Sequence, residues 1–128
     1  MHEISVAQRM LGIASTAADA NGGGRITAMR LVIGALSGVE PETLRFAFEI
    51  AARGTRAEGC ALELELVPLR LLCRECQIEE DRDLLDGCSG CGAIGGSVSR
   101  GRELKVDTID LDNDAPLDSA GAAQGSET

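Results

Sequence analysis

The spacing of apolar residues predicts two amphipathic helices in the first half of the chain. The first covers residues 3–20 and ends at the run Asn21–Gly24, because glycine accepts the backbone conformations that a helix exit needs. Its apolar face is predicted to be Ile4, Ala7, Leu11, Ala14 and Ala18, widened by Met10 and Ile13. The second helix begins at Pro41, which suits a first helical turn, and Gly54 stands where a C-terminal cap belongs. Its buried stripe is predicted to be Leu44, Ala47, Phe48 and Ala51.

Alternation of apolar and polar residues predicts three strands. The first covers residues 25–34. Its apolar face is Met29, Leu31 and Ile33. The second covers residues 60–67 and places Cys60 in register with three leucines, which favours a buried, inert thiol over a reactive one. The third covers residues 103–111, where the apolar positions change parity and indicate a bulge near Asp107–Thr108.

Two Cys-x-x-Cys pairs stand between the second and third strands: Cys73 with Cys76, then Cys88 with Cys91 after eleven residues. Each pair closes a tight turn that presents two thiolates to one side, and zinc prefers four such ligands in a tetrahedron. The spacer can hold a strand, a turn and a return, as in a zinc ribbon. Two disulfides are the alternative, typical of secreted domains. The chain starts without a secretory signal and has a fifth cysteine, so we expect a structural zinc site in the cytoplasm.

The amino-acid composition of the chain argues against several classes of function. Lys and Arg number 12 against 21 Asp and Glu, the formal net charge is −9, and Trp and Tyr are absent. Such a chain repels phosphate backbones and offers little surface for base stacking, which weakens the alternative of a zinc-ribbon nucleic-acid or protein-binding module. A metalloenzyme would need an open metal position or a Cys–His or Ser–His pair, and the one histidine is residue 2. No apolar run approaches the roughly 18–20 residues that span a bilayer, so we expect no membrane, no nucleic acid and no catalysis.

These elements predict an α+β fold with two helices on a small, mainly antiparallel three-stranded sheet and an inserted zinc-ribbon module. The last strand has nothing to pair with inside a ribbon, so we expect it to return to the sheet of the two earlier strands. The predicted domains are residues 1–69 plus 102–112, and an inserted ribbon over residues 70–101. Residues 92–101, rich in glycine and serine, are expected to lead out of the ribbon, and residues 113–128 form an acidic tail predicted to be disordered.

The amino terminus carries a second candidate metal site. The terminal amine of Met1, the His2 amide nitrogen and the His2 imidazole can close fused chelate rings around one ion, a tetragonal nitrogen set that suits Ni(II) or Cu(II). The following helix helps, because first-turn N–H groups have no intrahelical partner. Glu3 and Glu40 are nearby carboxylate candidates, although spacing leaves open whether Glu40 reaches the ion.

Several short motifs follow one another in one order. They are Met1-His2-Glu3, the Gly34-x-x-Ser37-Gly38-Val39-Glu40-Pro41-Glu42 loop with Leu44, Phe46 and Phe48, the paired Cys-x-x-Cys, and Gly101-Arg102-Glu103-Leu104. With these motifs the chain resembles the HypA/HybF family over residues 1–111. The resemblance implies an accessory protein without catalytic turnover, which delivers nickel during maturation of NiFe-hydrogenase and, in some organisms, urease.

The resemblance also implies roles for single residues. His2 matches the nickel ligand, with adjacent backbone nitrogens of the amino terminus and Glu3, and Glu40 falls where many relatives carry Asp. The structural zinc ligands that it implies are Cys73, Cys76, Cys88 and Cys91. Some relatives have a further histidine in or after the zinc module, which this chain lacks. The implied partners are a HypB-type GTPase, the immature hydrogenase large subunit and, in some organisms, urease maturation proteins; the sequence does not distinguish a monomer from a weak homodimer.

Overall fold

The computed structural model describes residues 2–112, which contain two α-helices and six β-strands. In chain order these are α1 (Glu3–Ala20), β1 (Arg25–Gly34), α2 (Pro41–Ala52), β2 (Ala61–Val67), β3 (Arg70–Leu72), β4 (Glu79–Asp81), β5 (Ser97–Arg100) and β6 (Leu104–Asp112). The tail predicted over residues 113–128 lies outside the described residues, as does Met1. Neither helix of the described range has the length and apolar character needed to cross a membrane.

The described residues divide into two compact units. We call residues 2–31, 39–64 and 105–112 the helical unit, and Val32–Gly38 with Glu65–Leu104 the cysteine unit. The helical unit contains α1 and α2, which pack against each other, and the cysteine unit contains β3, β4 and β5.

One three-stranded sheet has the order β2-β1-β6, so the last strand returns to the two earlier strands as predicted. Thr27 contacts Asp110 at 3.2 Å and Arg30 contacts Asp107 at 3.4 Å, so β6 runs antiparallel to β1. Ile26 N–H donates to the Arg56 carbonyl, and Arg30 pairs with Glu63, so β2 runs parallel to β1. A parallel neighbour requires a crossover, which α2 supplies. The predicted α+β class is confirmed, and this sheet is mixed.

Helix α1 has the predicted bounds, but its buried face is rotated from the predicted one. The buried residues are Glu3, Val6, Ala7, Met10, Leu11, Ala14 and Ala18. The prediction that Ile4 and Ile13 belong to this face is wrong, because they are 46% and 48% exposed. Val6 fills the core instead, on the side of the helix facing away from Ile4, and Met10 is buried as predicted. Glu3 shares the buried face because it lies one turn before Ala7.

Helix α2 begins at Pro41 as predicted. Its buried residues are Leu44, Ala47, Phe48 and Ala52. Ala51, predicted in this stripe, is half-buried, since the stripe ends on Ala52. Gly54 follows the C-terminal capping residue Arg53 and has a φ of 77°, the left-handed conformation that glycine accepts without strain. The local signals for the start and end of this helix are therefore confirmed.

Burial along two strands departs from simple alternation. In β2, Leu66 is exposed and Val67 is buried, so the predicted apolar face reverses at the end of the strand. In β6, the exposed residues Asp107 and Thr108 are consecutive, and half-buried positions lie on both sides of them. The predicted change of parity is therefore present, while the bulge itself stays a prediction.

A buried arginine in the helical unit has no counterpart in the sequence reasoning. Arg56 is buried, donates to the Ser15 carbonyl at 3.3 Å and pairs with Asp19 at 2.9 Å. Its own carbonyl accepts the Ile26 N–H at 2.9 Å. Arg56 thus ties the end of α1, the start of β1 and the turn before β2 together.

The cysteine unit contains a second three-stranded sheet, in the order β4-β3-β5 with both pairings antiparallel. Leu71 of β3 is fully buried and lies opposite Glu80 on one side and Val98 on the other. The segment of residues 92–101, predicted to lead out of the ribbon, also contains a strand that was not predicted, because Ser97–Arg100 form β5. A short glycine-rich segment can pair when a neighbouring strand edge offers free backbone groups.

Candidate metal centre

The first cysteine turn directly follows β3. Gln77 N–H donates to the Cys73 carbonyl at 3.0 Å, and Cys73 N–H donates to the Ile78 carbonyl at 2.8 Å. Gln77 has φ of 69°, which makes it the only non-glycine residue of the described range in the left-handed conformation. These two bonds close the turn and place the sulfurs of Cys73 and Cys76 on one side.

The second cysteine turn repeats this geometry fifteen residues later, from Cys88. Gly92 N–H donates to the Cys88 carbonyl at 2.8 Å, and Cys88 N–H donates to the Ala93 carbonyl at 2.9 Å. Gly92 has φ of 81°, in the position that Gln77 occupies in the first turn. The two turns are therefore equivalent in backbone bonding, although only one of them has glycine at the left-handed position.

The four thiols of these turns converge as predicted. Their sulfur atoms lie within 4.8 Å of one another, with 3.6 Å between Cys73 and Cys91 and 3.5 Å between Cys76 and Cys88. A tetrahedral zinc–thiolate site, with Zn–S of about 2.3 Å, requires S···S distances of about 3.8 Å. Cys73 and Cys88 are buried, while Cys76 and Cys91 are exposed. The donor set therefore fits a four-coordinate zinc ion.

Backbone N–H groups favour the thiolate form of the two buried cysteines. The N–H groups of Cys76 and Glu75 lower the pKa of Cys73 to about 6. The N–H groups of Cys91 and Gly90 lower the pKa of Cys88, and the Gly90 nitrogen lies 3.3 Å from the Cys88 sulfur. Each buried sulfur shares a hydrogen bond with the exposed sulfur beside it. A metal dication would therefore meet two buried sulfurs that the backbone N–H groups already dispose to carry charge.

The exposed cysteines show the complementary shift. The Ile78 N–H lowers the pKa of Cys76, but the hydrogen bond with Cys88 and desolvation outweigh it and raise that pKa to about 12. For Cys91, the Ala93 N–H lowers the pKa, and the hydrogen bond with Cys73 and desolvation raise it overall. In each close sulfur pair, the pKa of the buried cysteine is therefore lowered and that of the exposed cysteine is raised.

The second turn has a support that the sequence reasoning missed. The Glu80 carboxylate accepts the Ser89 N–H at 2.9 Å, and the Arg82 guanidinium lies 3.3 Å from the same oxygen. The Ser89 N–H and the Arg82 side chain lower the pKa of Glu80, with the N–H as the larger effect. The sequence offered one signal: Arg82 is the single cation within an acidic run. It could not show that Arg82 is buried beside the second turn.

At the amino terminus, His2 is the N-terminal capping residue of α1 and is exposed. Its side chain makes no capping hydrogen bond, while its carbonyl accepts the Val6 N–H at 3.0 Å. The imidazole can therefore turn toward a ligand without breaking a contact that holds the helix. The N–H groups of the first turn have no intrahelical acceptor.

Glu3 and Glu40, separated by 37 residues, are brought together. The Glu40 N–H donates to Glu3 Oε2 at 3.1 Å. The terminal ammonium group and this N–H lower the pKa of Glu3 to about 2. Glu40 Oε1 caps α2, because it accepts both the N–H and the hydroxyl of Thr43 at 2.8 Å. These Thr43 bonds lower the pKa of Glu40, so both carboxylates are charged at neutral pH.

The fifth cysteine stands apart from the metal-binding cluster found in the described residues. Cys60 is half-buried, and desolvation raises the pKa of its thiol. A raised pKa reduces the thiolate fraction. The predicted burial of Cys60 is only partial, and the inertness of its thiol stays a prediction.

Comparison with known proteins gives one consistent family. The model of the family described as "Hydrogenase/urease nickel incorporation, metallochaperone, hypA" matches residues 1–111. A hydrogenase maturation factor HypA of Roseiflexus sp. is 37% identical over 120 residues, which cover 91% of this chain and 96% of that protein. A hydrogenase maturation factor HypA of Geobacter sp. strain M21 is 42% identical over 113 residues, covering 88% of this chain and all of that protein.

Solved structures agree at the level of the fold. The solution structure of the Ni metallochaperone HypA from Helicobacter pylori has a TM-score of 0.62 and 21% identity, with 87% of this chain and 97% of that chain covered. A second solution structure of a HypA protein has a TM-score of 0.61. The match over residues 1–111, together with relatives of about 40% identity that are covered almost end to end, shows that the chain belongs to the HypA family of hydrogenase and urease nickel-incorporation metallochaperones.

Proposed function

We propose that this protein binds Ni(II) at its amino terminus and delivers it to the large subunit of a NiFe-hydrogenase during maturation, while four cysteines hold a structural zinc ion. Membership of the HypA family supports nickel as the cargo. The observation that carries the site assignment is the exposed His2 imidazole next to Glu3, whose carboxylate binds the Glu40 backbone.

The proposed nickel ligands are nitrogen atoms at the start of α1. They are the terminal amine of Met1, the amide and imidazole of His2, and the amide of Glu3. Such a set is tetragonal and rich in nitrogen, as Ni(II) prefers. Glu40 caps α2 through Oε1, so we assign Oε2 as the oxygen that approaches the ion. The negative charges of Glu3 and Glu40 would raise the local concentration of a cation.

The proposed zinc role follows from the closed donor set. Four thiolates fill the coordination sphere of zinc and leave no position for a substrate, so such a site stabilises a fold and has no catalytic function. The chain's own contribution is the pair of cysteine turns, whose backbone N–H groups point at the buried sulfurs. Zinc binding and folding of the cysteine unit would therefore be coupled.

Delivery requires release, and the proposed nickel site is suited to it. Its ligands compete with protons for the metal, and histidine side chains in general change charge between about pH 5 and 8. We propose that a HypB-type GTPase and the immature hydrogenase large subunit receive the cargo in the cytoplasm. In organisms with urease, urease maturation proteins are proposed partners of the same kind. The protein itself performs no catalysis in this scheme.

The test is metal analysis and nickel titration on untagged protein. The comparison is with His2→Ala and with a variant that carries extra residues before Met1. We expect one tightly held zinc in all three proteins and a nickel site only in the parent. Nickel binding that survives both changes would refute the amino-terminal site. Loss of zinc in His2→Ala would refute the separation of the two sites.

Two further comparisons sharpen the assignment. Glu40→Gln should weaken nickel binding, while Glu42→Gln, which changes an exposed carboxylate in the same helical turn, should not. Nickel affinity should fall between about pH 7.5 and about pH 5.5, because protons then compete for the imidazole. Equal affinity at both pH values would contradict the proposed ligand set.

A further inference from the structure

Three aliphatic side chains of the cysteine unit are exposed on two chain segments that the backbone joins. Leu84, Leu85 and Ile94 are 40%, 84% and 63% exposed, and we call these three residues the apolar tip. The Gly95 N–H donates to the Leu84 carbonyl at 3.1 Å, and Gly87 forms an antiparallel bridge with Ile94. These two backbone contacts hold the segment with Leu84 and Leu85 beside the segment with Ile94, so the three exposed side chains belong to one region of the surface. Clustered exposed aliphatic groups of this kind mark interaction sites more often than isolated ones do.

The apolar tip rests on a fixed frame. Arg82 side-chain atoms are 6% exposed, and its guanidinium donates to the Asp86 carbonyl and the Gly95 carbonyl, each at 2.7 Å. One buried side chain therefore holds both segments that carry the apolar tip. The Asp86 N–H also donates to the Asp83 carbonyl at 3.1 Å, which closes the turn around Leu84 and Leu85. A surface ordered before binding loses little conformational entropy when a partner arrives.

The edge of the apolar tip is negatively charged. Asp83 and Asp86 flank Leu84 and Leu85 in sequence, and both are exposed. In the part of the chain that the structure describes, neither carboxylate forms an ion pair, whereas Glu79 and Asp81 pair with Arg70. Arg82 is the only cation between residues 78 and 96, and it is buried against Glu80. A binding partner would therefore meet an apolar centre with carboxylates beside it.

We propose that the apolar tip is a docking surface for another protein that presents an apolar face edged by lysine or arginine. Opposite charges at the rim would guide the encounter, and burial of the leucines would supply the affinity. Anionic membranes and nucleic acids would be repelled by Asp83 and Asp86. A second copy of this chain, with its net charge of −9, would bring the same sign of charge to the contact. The proposal does not depend on nickel binding at the amino terminus.

The probe is a synthetic helical peptide of about 18 residues, with leucine on one face and lysine on the other. We expect fluorescence anisotropy to show saturable binding to the zinc-loaded full chain. The double variant Leu84→Ser/Leu85→Ser should bind at least about tenfold more weakly, equivalent to about 1.4 kcal/mol. The matched control is Phe46→Ser/Ile50→Ser, which removes an exposed apolar pair from α2 in the helical unit and should leave binding unchanged. A peptide with glutamate in place of lysine should not bind.

Further measurements keep the test independent of misfolding. Zinc content and the circular dichroism spectrum should be unchanged in the double variant, and Ile94→Ser should weaken binding from the second segment. Asp83→Asn/Asp86→Asn should lower the affinity and reduce its dependence on salt. Equal peptide affinity of the parent and the Leu84→Ser/Leu85→Ser variant would overturn the proposal. So would sedimentation data showing that the apolar tip mediates a dimer, or binding of neutral lipid vesicles that requires Leu85.

Discussion

Replacement of Gly34 by alanine tests the packing of the cysteine unit. Gly34 ends β1 and is buried, and a Cβ at this position would lie 2.2 Å from the Gly101 carbonyl oxygen and 2.7 Å from the Glu103 nitrogen. Both neighbours are backbone atoms, so no side chain can rotate away. Ordinary contact begins at 3.4 Å, so the Gly101 segment must move by about 1.2 Å, the difference between 3.4 and 2.2 Å.

The expected cost follows from the bonds that such a movement disturbs. Gly34 N–H donates to the Glu103 carbonyl at 2.7 Å, and Leu36 N–H donates to the Gly101 carbonyl at 2.6 Å. Each hydrogen bond contributes about 0.5–1.5 kcal/mol, and overpacking costs about 1–3 kcal/mol. Gly34→Ala should therefore reduce the free energy of unfolding by about 2–6 kcal/mol.

The measurement is urea unfolding followed by circular dichroism at a fixed, saturating zinc concentration. With a slope of about 1–3 kcal/mol per molar urea, the midpoint should fall by roughly 1 M or more. Gly12→Ala is the matched control: Gly12 lies inside α1, and a Cβ there meets nothing within 4 Å. Removing a helical glycine should raise stability by about 1 kcal/mol. The reasoning fails if Gly34→Ala unfolds at the same urea concentration as the parent, or if both alanines shift the midpoint in one direction.

Three other perturbations give expectations of defined sign. Gln77→Gly should stabilise the cysteine unit by about 0.5–1 kcal/mol, because it removes the steric cost of a left-handed residue with a Cβ (about 1–2 kcal/mol), which exceeds the entropic cost of ordering a glycine. Gln77→Ala keeps the Cβ and should give no gain in melting temperature. Arg56→Met should cost about 1–3 kcal/mol in urea unfolding through loss of the bonds to Asp19 and the Ser15 carbonyl, and an unchanged midpoint would contradict this. Glu3→Gln should reduce the free energy of unfolding above pH 4.5. The difference in this free energy between the variant and the parent should shrink as the pH falls from 4.5 toward 2, because the folded-state pKa of Glu3 is depressed to about 2. A difference that does not change with pH would show that the charge of Glu3 is not responsible.

Signals that act within a few residues allowed accurate prediction. The start of α2 is predictable because Pro41 suits a first turn, and each pair of cysteines because its Cys-x-x-Cys turn is closed by its own backbone. The parity change at Asp107–Thr108 is also visible in the sequence, because the apolar positions leave a period-two pattern there. Each of these features is determined by residues that are close together in the sequence.

Features that depend on distant partners were not predictable. The buried face of α1 was misjudged because Ile4 and Ile13 flank the correct face, and only the packed neighbours decide how the helix is rotated. The parallel pairing of β1 with β2 requires knowledge of the side from which α2 returns. Arg56 bonds to a carbonyl 41 residues away, so its burial leaves no local pattern. Sequence patterns predict where the helices and strands lie, and the contacts between them decide which face of each is buried.

The four cysteines and the proposed nickel ligands at the amino terminus differ in how much the fold is disturbed when the metal leaves. Each cysteine turn is closed by two backbone hydrogen bonds, and the buried sulfurs accept further N–H groups, so loss of a bound zinc would leave four closely spaced sulfur atoms without the cation that offsets their charge. The His2 imidazole makes no capping bond, and the Val6 N–H already binds the His2 carbonyl, so α1 is complete without a metal. If nickel binds at His2 as proposed, its departure returns the imidazole to solvent and disturbs no core contact. The energy needed to release the cargo would then be set by the ligands alone, and a partner that offers better ligands, or a fall in pH, would suffice to move the ion.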